Sequence, residues 1–196
     1  MEKIIATYLQ SVLSLCPKLT AAEQQYLRNG LTVTELPAKH FYVHAGEIQR
    51  HIGFVYQGLL RAFYIDDDGN EITVRFTREG GYATDYPAFV SQEPSKYYIQ
   101  CLEPCTIAHL SFAYVNDGYA QHAGLERFGR LIAEQVLKAQ QKRIEGFLFD
   151  NAEQRYLNFI QESPDLFNRV SLSYLSTFLG IERPSLSRIR KKLAQK

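Results

Sequence analysis

The chain has 196 residues, enough for one large domain or two modest ones, each with its own core. Hydrophobic residues make up 45% and charged residues 22%, which excludes a disordered chain. A formal net charge of +1 excludes binding to nucleic acid or membranes through overall charge alone. The charge is uneven, however, because residues 181–196 carry six Lys or Arg and one Glu. The remaining residues are therefore net acidic, and the cations mark the C-terminal end as a candidate site.

The first segment predicts an amphipathic helix rather than a signal peptide. Its apolar residues follow helical spacing with polar residues between them; they are Ile4, Ile5, Tyr8, Leu9, Val12 and Leu13. No stretch approaches the about 20 apolar residues that span a bilayer, so no membrane partner is expected. Three cysteines do not form an even disulfide framework, which favours a reducing, cytoplasmic location.

A second short helix is predicted after Pro17. Thr20 and Glu23 have the spacing of a capping box, and Gly30 is expected to end the helix.

From Leu31 to Phe112 the sequence has short β-rich runs separated by glycines. "LLRAFYI" and "EITVRF" flank "DDDGN", which predicts a β-hairpin. Many short strands between turns indicate a barrel or jelly roll. Together with the N-terminal helices they define a first predicted domain, residues 1–115.

Residues 116–148 predict a long helix, since they contain no proline and few β-branched residues. Its apolar stripe is expected to form a dimer interface with the same helix of a second chain. Packing of the stripe on its own barrel is the alternative. The expected interface residues are Leu125, Phe128, Ile132, Gln135 and Ala139.

The third predicted domain, residues 149–196, begins with a short helix in "NAEQRYLNFIQESP" and ends in "LSYLSTFLGIERPSLSRIRKKL". In the latter, Gly180 permits a left-handed turn between two helices. Leu175, Leu179, Ile181, Leu186 and Ile189 fall at buried positions, and Ser176 is small enough for close helix packing. This pattern indicates a helix-turn-helix whose second helix covers residues 184–195.

The second helix of this motif is expected to bind DNA. Residues near its N-terminus can reach base edges, and later cations suit phosphates. A solvated basic helix is the alternative. The residues expected at the DNA are Arg183, Ser185, Ser187, Arg188, Lys191 and Lys192.

The chain resembles the Crp/Fnr family of bacterial transcription regulators in "GLLRAFYIDDDGNEITVRF", "ATDYPAF" and "VSLSYLSTFLGIERPSLSRIRKKL". The segment "NAEQRYLNFIQESPDLFNRVSLSYLSTFLGI" resembles a short branch of that family found in Bacteroidetes-type bacteria. The resemblance implies an α+β fold: a double-stranded β-helix (jelly-roll) sensor domain, a dimerising helix and a helix-turn-helix domain, here with a reduced or absent wing. It also implies a homodimer on a near-palindromic DNA site, contact with RNA polymerase and no catalysis.

The same resemblance places the effector pocket near Asp85 and at Ser95 and Lys96, with Arg75 as a further candidate. Cyclic-nucleotide-binding members have Glu at the ribose and Arg followed by Ser or Thr at the phosphate. Lysine lacks the planar grip of arginine, so we expect an unknown small-molecule effector rather than cyclic AMP, or none at all. No cofactor is expected.

Two other functions compete with this interpretation. A cupin-like metal enzyme would share the jelly roll, and "KHFYVHAGE" offers His40, His44 and Glu47. On a strand, residues four apart lie about 13 Å from each other, too far to share a metal ion. Cys101 and Cys105 alone do not complete a zinc site. A sensor or protein-binding module without DNA activity is the second alternative.

Overall fold

The computed structural model describes residues 1–193. The chain divides into two compact units, residues 1–62 with 76–135, and residues 63–75 with the chain from Val136 onwards. The predicted domains 1–115, 116–148 and 149–196 follow element types rather than contacts, and they stay a prediction.

Two N-terminal helices cover part of the first unit. Helix α1 (Glu2–Leu15) buries Ile5, Tyr8, Leu9 and Val12, as its spacing predicts. Helix α2 (Ala21–Gly30) begins at the predicted capping box, in which both hydrogen bonds between Thr20 and Glu23 are present.

Gly30 is the last residue of α2, but not because it adopts a left-handed conformation. The following residue, Leu31, is already extended. A Cβ atom at Gly30 would overlap the ring of Tyr114, so glycine is needed for close packing.

Eight strands form two four-stranded sheets within residues 1–193. They are β1 (Thr32–Leu36), β2 (Phe41–Val43), β3 (His51–Gln57), β4 (Leu60–Ile65), β5 (Glu71–Thr77), β6 (Tyr82–Ala83), β7 (Tyr98–Cys101) and β8 (Cys105–Ser111). The sheet orders are β1-β8-β3-β6 and β2-β7-β4-β5. The β-rich segment is therefore confirmed as a sandwich, whereas its jelly-roll connectivity stays a prediction.

The predicted hairpin joins β4 to β5. Gly69 has φ +82°, and its amide donates to the carbonyl of Asp66 at 3.0 Å. The Asp66 carboxylate accepts from the amides of Asp68 and Asn70, which fixes the turn.

Three helices accompany the sandwich: α3 (Tyr86–Ser91), α4 (Phe112–Gln121) and α5 (Ala123–Phe149). The helix predicted from residue 116 is therefore the end of α4 followed by α5. The two are separated at His122, whose backbone is extended. The Glu23 carboxylate accepts from the Gly124 amide at 2.8 Å, so α5 starts on a cap supplied by α2.

The second unit contains α6 (Ala152–Glu162), a 3₁₀ turn at Pro164–Asn168, α7 (Leu172–Leu179) and α8 (Arg183–Leu193). Helix α8 starts one residue before the predicted start at 184. Residues 194–196, with the end of the predicted helix 184–195, lie outside the described residues. Of the helices formed by residues 1–193, none has both the length and the apolar character needed to cross a membrane.

Candidate nucleic-acid interface and sensor site

The connection between α7 and α8 depends on Gly180. This residue has φ +60°, as predicted for a left-handed turn, and its amide donates to carbonyls of the last turn of α7. The Ile181 amide donates to the Ser176 carbonyl at 3.0 Å. A Cβ at Gly180 would lie 2.8 Å from Cε1 of Phe147. Both the backbone angle and the close contact therefore require glycine.

The inner faces of α7 and α8 form a small core. Leu175, Leu179, Ile181 and Leu186 are buried, as their positions predict. Ser176 is also buried, and its hydroxyl donates to the Ser173 carbonyl, which satisfies it inside α7.

The outer face of α8 is polar and cationic. Arg183, Ser187, Arg188 and Lys191 are exposed, and Ser185 is half-buried. Helical spacing puts residues 187, 188 and 191 on the side opposite Leu186. The Arg188 Nη2 donates to the Ser185 Oγ at 3.0 Å, an interaction that an incoming partner can replace.

Two cations of α8 already have partners in their own unit. The Lys192 Nζ lies 2.8 Å from the Glu153 Oε2 of α6. The Arg190 guanidinium lies 4.5 Å from the centre of the Phe167 ring. Exposed ion pairs contribute at most about 1 kcal/mol, so Lys192 could exchange Glu153 for a phosphate.

Two arginines that sequence reasoning did not single out hold the end of α7. The Arg155 Nε donates to the Leu179 carbonyl at 2.8 Å, and the Arg143 Nη2 donates to the Phe178 carbonyl at 3.1 Å. Arginines suit a helix C-terminus, whose carbonyls carry partial negative charge. They lie 24 and 35 residues away along the chain, so no local motif marks them.

Strand β5 of the hairpin also contacts α7 within the second unit. Thr177 Oγ1 accepts from the Thr73 amide at 3.2 Å and lies 3.0 Å from the Thr73 hydroxyl. Thr73 is fully buried. The start of β5 is therefore held against α7, whereas the turn at residues 67–70 is exposed.

In the first unit, two of the residues aligned with a nucleotide site bind each other. Asp85 and Ser95 are both buried, and the Ser95 hydroxyl donates to the Asp85 Oδ2 at 2.9 Å. The Asp85 amide donates to Oε1 of the buried Gln49 at 2.9 Å. This polar network is thus satisfied by the protein itself.

The other predicted pocket residues are placed differently. Lys96 is exposed, whereas Arg75 is half-buried and belongs to the second unit. The structure therefore pairs Asp85 with Ser95 and gives no such pairing for Lys96. The effector pocket of Arg75, Asp85 and Lys96 stays a prediction.

The residues expected at a dimer interface fall into two groups. Leu125 and Phe128 are only 3% and 8% exposed and belong to the core of the first unit, where Ile132 packs against them. Their own chain covers them, in agreement with the alternative that the stripe packs within the chain, and the dimer interface stays a prediction. Gln135 and Ala139 are exposed.

The later part of α5 exposes apolar residues that the predicted stripe did not include. Leu137, Ile144 and Leu148 are 69%, 53% and 70% exposed. Their spacing of seven and four residues puts them on one face, opposite Gln135 and Ala139.

The sequence offered His40, His44, Glu47 and two cysteines as residues to consider for a metal site. Among residues 1–193, no group of three or more His, Cys, Asp or Glu side chains is arranged to hold a metal ion. The Glu47 carboxylate instead accepts from the His44 amide at 3.1 Å. Cys101 and Cys105 are buried free thiols.

One family model is similar to the part of the chain that forms most of the strands. Residues 33–122 match the family model described as "Cyclic nucleotide-binding domain". No curated protein matches the chain significantly.

Solved structures with the same fold include bacterial regulators. FixK2 from Bradyrhizobium japonicum superimposes with a TM-score of 0.73 at 13% identity, over 84% of this chain and 85% of FixK2. The c-di-GMP responsive global regulator CLP of Xanthomonas campestris gives 0.70 at 15% identity, over 90% and 92% of the two chains. The catabolite activator protein of Thermus thermophilus gives 0.58 at 14% identity, over 92% and 86%.

Proposed function

We propose, from the fold that the chain shares with these bacterial regulators, that it is a sequence-specific transcription regulator without enzymatic activity. In this proposal α7 and α8 form a helix-turn-helix, and α8 enters the DNA major groove. The protein acts in the cytoplasm as a homodimer, and its effector is not cyclic AMP.

The proposal rests on the difference between the two faces of α8, one of which is buried and apolar and the other exposed and basic. Leu186 is fully buried against α7, while Arg183, Arg188 and Lys191 are exposed. A basic helix held on one face and free on the other fits a groove lined by phosphates.

The position of each polar residue along α8 indicates its role. Arg183, Ser185, Ser187 and Arg188 lie in the first turns, from which side chains reach base edges and nearby phosphates. Lys191 and Lys192 follow and serve phosphates, which set position without reading sequence.

The exposed stripe on the second part of α5 supports a dimer. Leu137, Ile144 and Leu148 would be buried by the same stripe of a second chain, in the manner of a coiled-coil seam. Two copies of α8 would then read half-sites about one helical turn apart in a near-palindromic operator. Contact with RNA polymerase belongs to the same proposal.

The Asp85–Ser95 hydrogen bond supports an effector other than cyclic AMP. A cyclic phosphate needs a cation where Ser95 stands, and the neighbouring Lys96 is exposed. A nucleotide would also have to separate a buried, satisfied hydrogen bond.

Selection of bound sequences from a random DNA pool, with the purified full chain, tests the proposal. We expect a near-palindromic sequence to be enriched. Arg188→Ala should weaken binding to that sequence by about 1–3 kcal/mol, and Lys191→Ala should weaken all sequences alike and lower the salt dependence by about one unit of slope.

Lys18→Ala serves as the matched control, because Lys18 is an exposed lysine outside α8. Its affinity for the selected DNA should equal that of the unmodified protein. Failure to enrich any sequence, together with no salt-sensitive retention on DNA, would reject DNA binding and favour a sensor module.

A further inference from the structure

The first unit contains a cavity that neither the aligned nucleotide site nor the proposed DNA interface explains. Its volume is about 300 Å³. It lies among α1, α2, α3, α4, the first part of α5 and the sheet that contains β6. Asp85 and Ser95 are not among its lining residues, all of which lie in the described part of the chain. Protein interiors contain few spaces larger than a water molecule, so one of this size is a candidate ligand site.

The wall of this cavity is aromatic and uncharged. Six tyrosines line it, with phenylalanines and aliphatic residues, and none of the lining residues, all within residues 1–193, carries a formal charge. An anion or a cation placed here would lose its hydration without gaining a compensating charge. The wall therefore selects a neutral ligand.

Aromatic pairs hold the wall in place. Tyr26 and Tyr114 stack with their ring centroids 4.3 Å apart, and Phe89 and Phe112 meet edge to face at 5.5 Å. All four residues line the cavity. Because these rings pack on each other, the wall is formed before a ligand enters.

The protein itself engages the hydroxyl groups of several lining tyrosines. The Tyr26 hydroxyl donates to the Tyr114 carbonyl at 2.9 Å, and the Tyr114 hydroxyl donates to the Tyr26 carbonyl at 2.7 Å. The hydroxyls of Tyr8 and Tyr82 are hydrogen-bonding neighbours, and that of Tyr82 is buried. These four tyrosines therefore offer the cavity the surfaces of their rings.

The rim of the cavity reaches solvent. It includes Val90, which is 55% exposed, and Asn116, which is also exposed, so a ligand has a route of entry. The Asn116 Nδ2 donates to the Phe112 carbonyl at 3.1 Å, which engages this amide within α4. The mouth, like the interior, is thus uncharged.

The size of the cavity indicates the size of its ligand. An apolar protein cavity of about 150 Å³ binds benzene, so a space of about twice that volume accommodates two fused rings. Aromatic walls favour an aromatic ligand through edge-to-face and offset contacts. A fatty acid fits less well, because its carboxylate would meet an uncharged mouth.

We propose that this cavity binds a neutral aromatic hydrocarbon of one or two rings. The ligand displaces water from apolar surface and packs against the rings of the wall. The inference does not rest on DNA binding, because every lining residue belongs to the first unit.

Naphthalene is the probe, in ligand-observed saturation-transfer NMR with the full chain. We expect a dissociation constant of about 0.1 mM. Naphthalene-2-sulfonate, which has the same rings and a charge, should bind at least about tenfold more weakly. Decanoate, an acyl chain with a carboxylate, should also bind more weakly than naphthalene.

Three variants locate the binding. Val115→Trp fills the cavity from α4 and should weaken naphthalene by at least about tenfold. Val90→Trp narrows the mouth and should weaken it by about threefold to tenfold. Ile65→Trp is the matched control, because Ile65 is 50% exposed and does not line the cavity, and it should leave naphthalene binding unchanged.

Four outcomes would overturn the proposal. They are no saturation transfer to naphthalene at its solubility limit, equal binding of the sulfonate, tighter binding of decanoate, and equal effects of Val90→Trp and Ile65→Trp. Should Val115→Trp fail to fold, as judged by circular dichroism, the comparison of Val90→Trp with Ile65→Trp decides, since both positions are exposed and tolerate a larger side chain.

Discussion

The two parts of α5 differ in what covers them. In the first part, Leu125 and Phe128 are buried in the core of their own chain. In the second part, Leu137, Ile144 and Leu148 are more than half exposed. The first part of this continuous helix therefore completes a core, whereas an apolar face of the second part is exposed.

This difference shows which features of a helix its residue spacing can predict and which it cannot. Spacing identifies the residues that share a face, but not the surface that covers that face. The predicted stripe from Leu125 to Ala139 follows one face, whereas Leu137, Ile144 and Leu148 lie on the opposite face.

The largest expected effect comes from truncating the buried part. Leu125→Ala should lower the free energy of unfolding by about 3 kcal/mol, because it leaves a cavity in a packed core. Urea unfolding followed by circular dichroism measures the change. Leu137→Ala, compared at high dilution, should change stability by no more than about 0.5 kcal/mol. Equal losses from the two variants would remove the distinction between the two parts.

Charges on the exposed part should break the proposed dimer. Ile144→Asp combined with Leu148→Asp should raise the dimer dissociation constant by about 100-fold or more, since each charge enters the seam twice. Sedimentation velocity measures the oligomeric state, and the fold should be retained because both residues are exposed.

The matched control puts the same charges on the predicted stripe, as Gln135→Asp with Ala139→Asp. We expect this variant to remain dimeric. Dimers that survive the first pair of substitutions but dissociate with the second would place the interface on the predicted stripe after all.

Two glycines provide a paired comparison of the same substitution. Gly129→Ala in the first part should destabilise by about 2 kcal/mol, because the new methyl group overlaps the Tyr119 hydroxyl. Gly146→Ala in the second part should stabilise by about 0.5–1 kcal/mol, because its nearest neighbour, the Asp150 Oδ2, is 3.7 Å away. Thermal unfolding of both variants checks the signs. Two changes of the same sign would show that local crowding does not distinguish the parts.

A smaller loss than that of Leu125→Ala or Gly129→Ala is expected at the cap of α5. Glu23→Gln should lower stability at neutral pH by about 1 kcal/mol, since the carboxylate accepts from Thr20 and from the Gly124 amide. The Thr20 amide chiefly, helped by the Thr20 hydroxyl and the Gly124 amide, lowers the pKa of Glu23 against the opposing effect of burial.

The sign of the pH dependence follows from that lowered pKa. The folded state holds the proton less tightly than the unfolded chain, so the stabilisation is complete above the unfolded pKa of about 4.3 and is lost as the pH falls through the folded value. Urea midpoints of the two proteins should therefore converge in acid. A difference that is constant with pH would contradict a role for the charge.

Features encoded over a few residues were predictable from the sequence. The Thr20–Glu23 box, the Asp66–Asn70 turn and the left-handed Gly180 each depend on neighbours in the chain, and the structure confirms all three. The burial of Leu186 followed from the same local pattern.

Features that join distant segments were not predictable. The break between α4 and α5 coincides with a cap from Glu23, which lies 101 residues before Gly124. The Asp85–Ser95 bond closes a network through Gln49. Tyr8, Tyr82 and Tyr119 line one cavity of the first unit, although they lie far apart in the sequence and no periodic pattern relates them.

Side chains from two other helices contact the end of α7. Arg143 of α5 and Arg155 of α6 donate hydrogen bonds to the last carbonyls of α7. The Phe147 ring occupies the position beside Gly180 that a Cβ atom would need. The turn that leads into α8 is therefore held by side chains of α5 and α6 as well as by its own backbone.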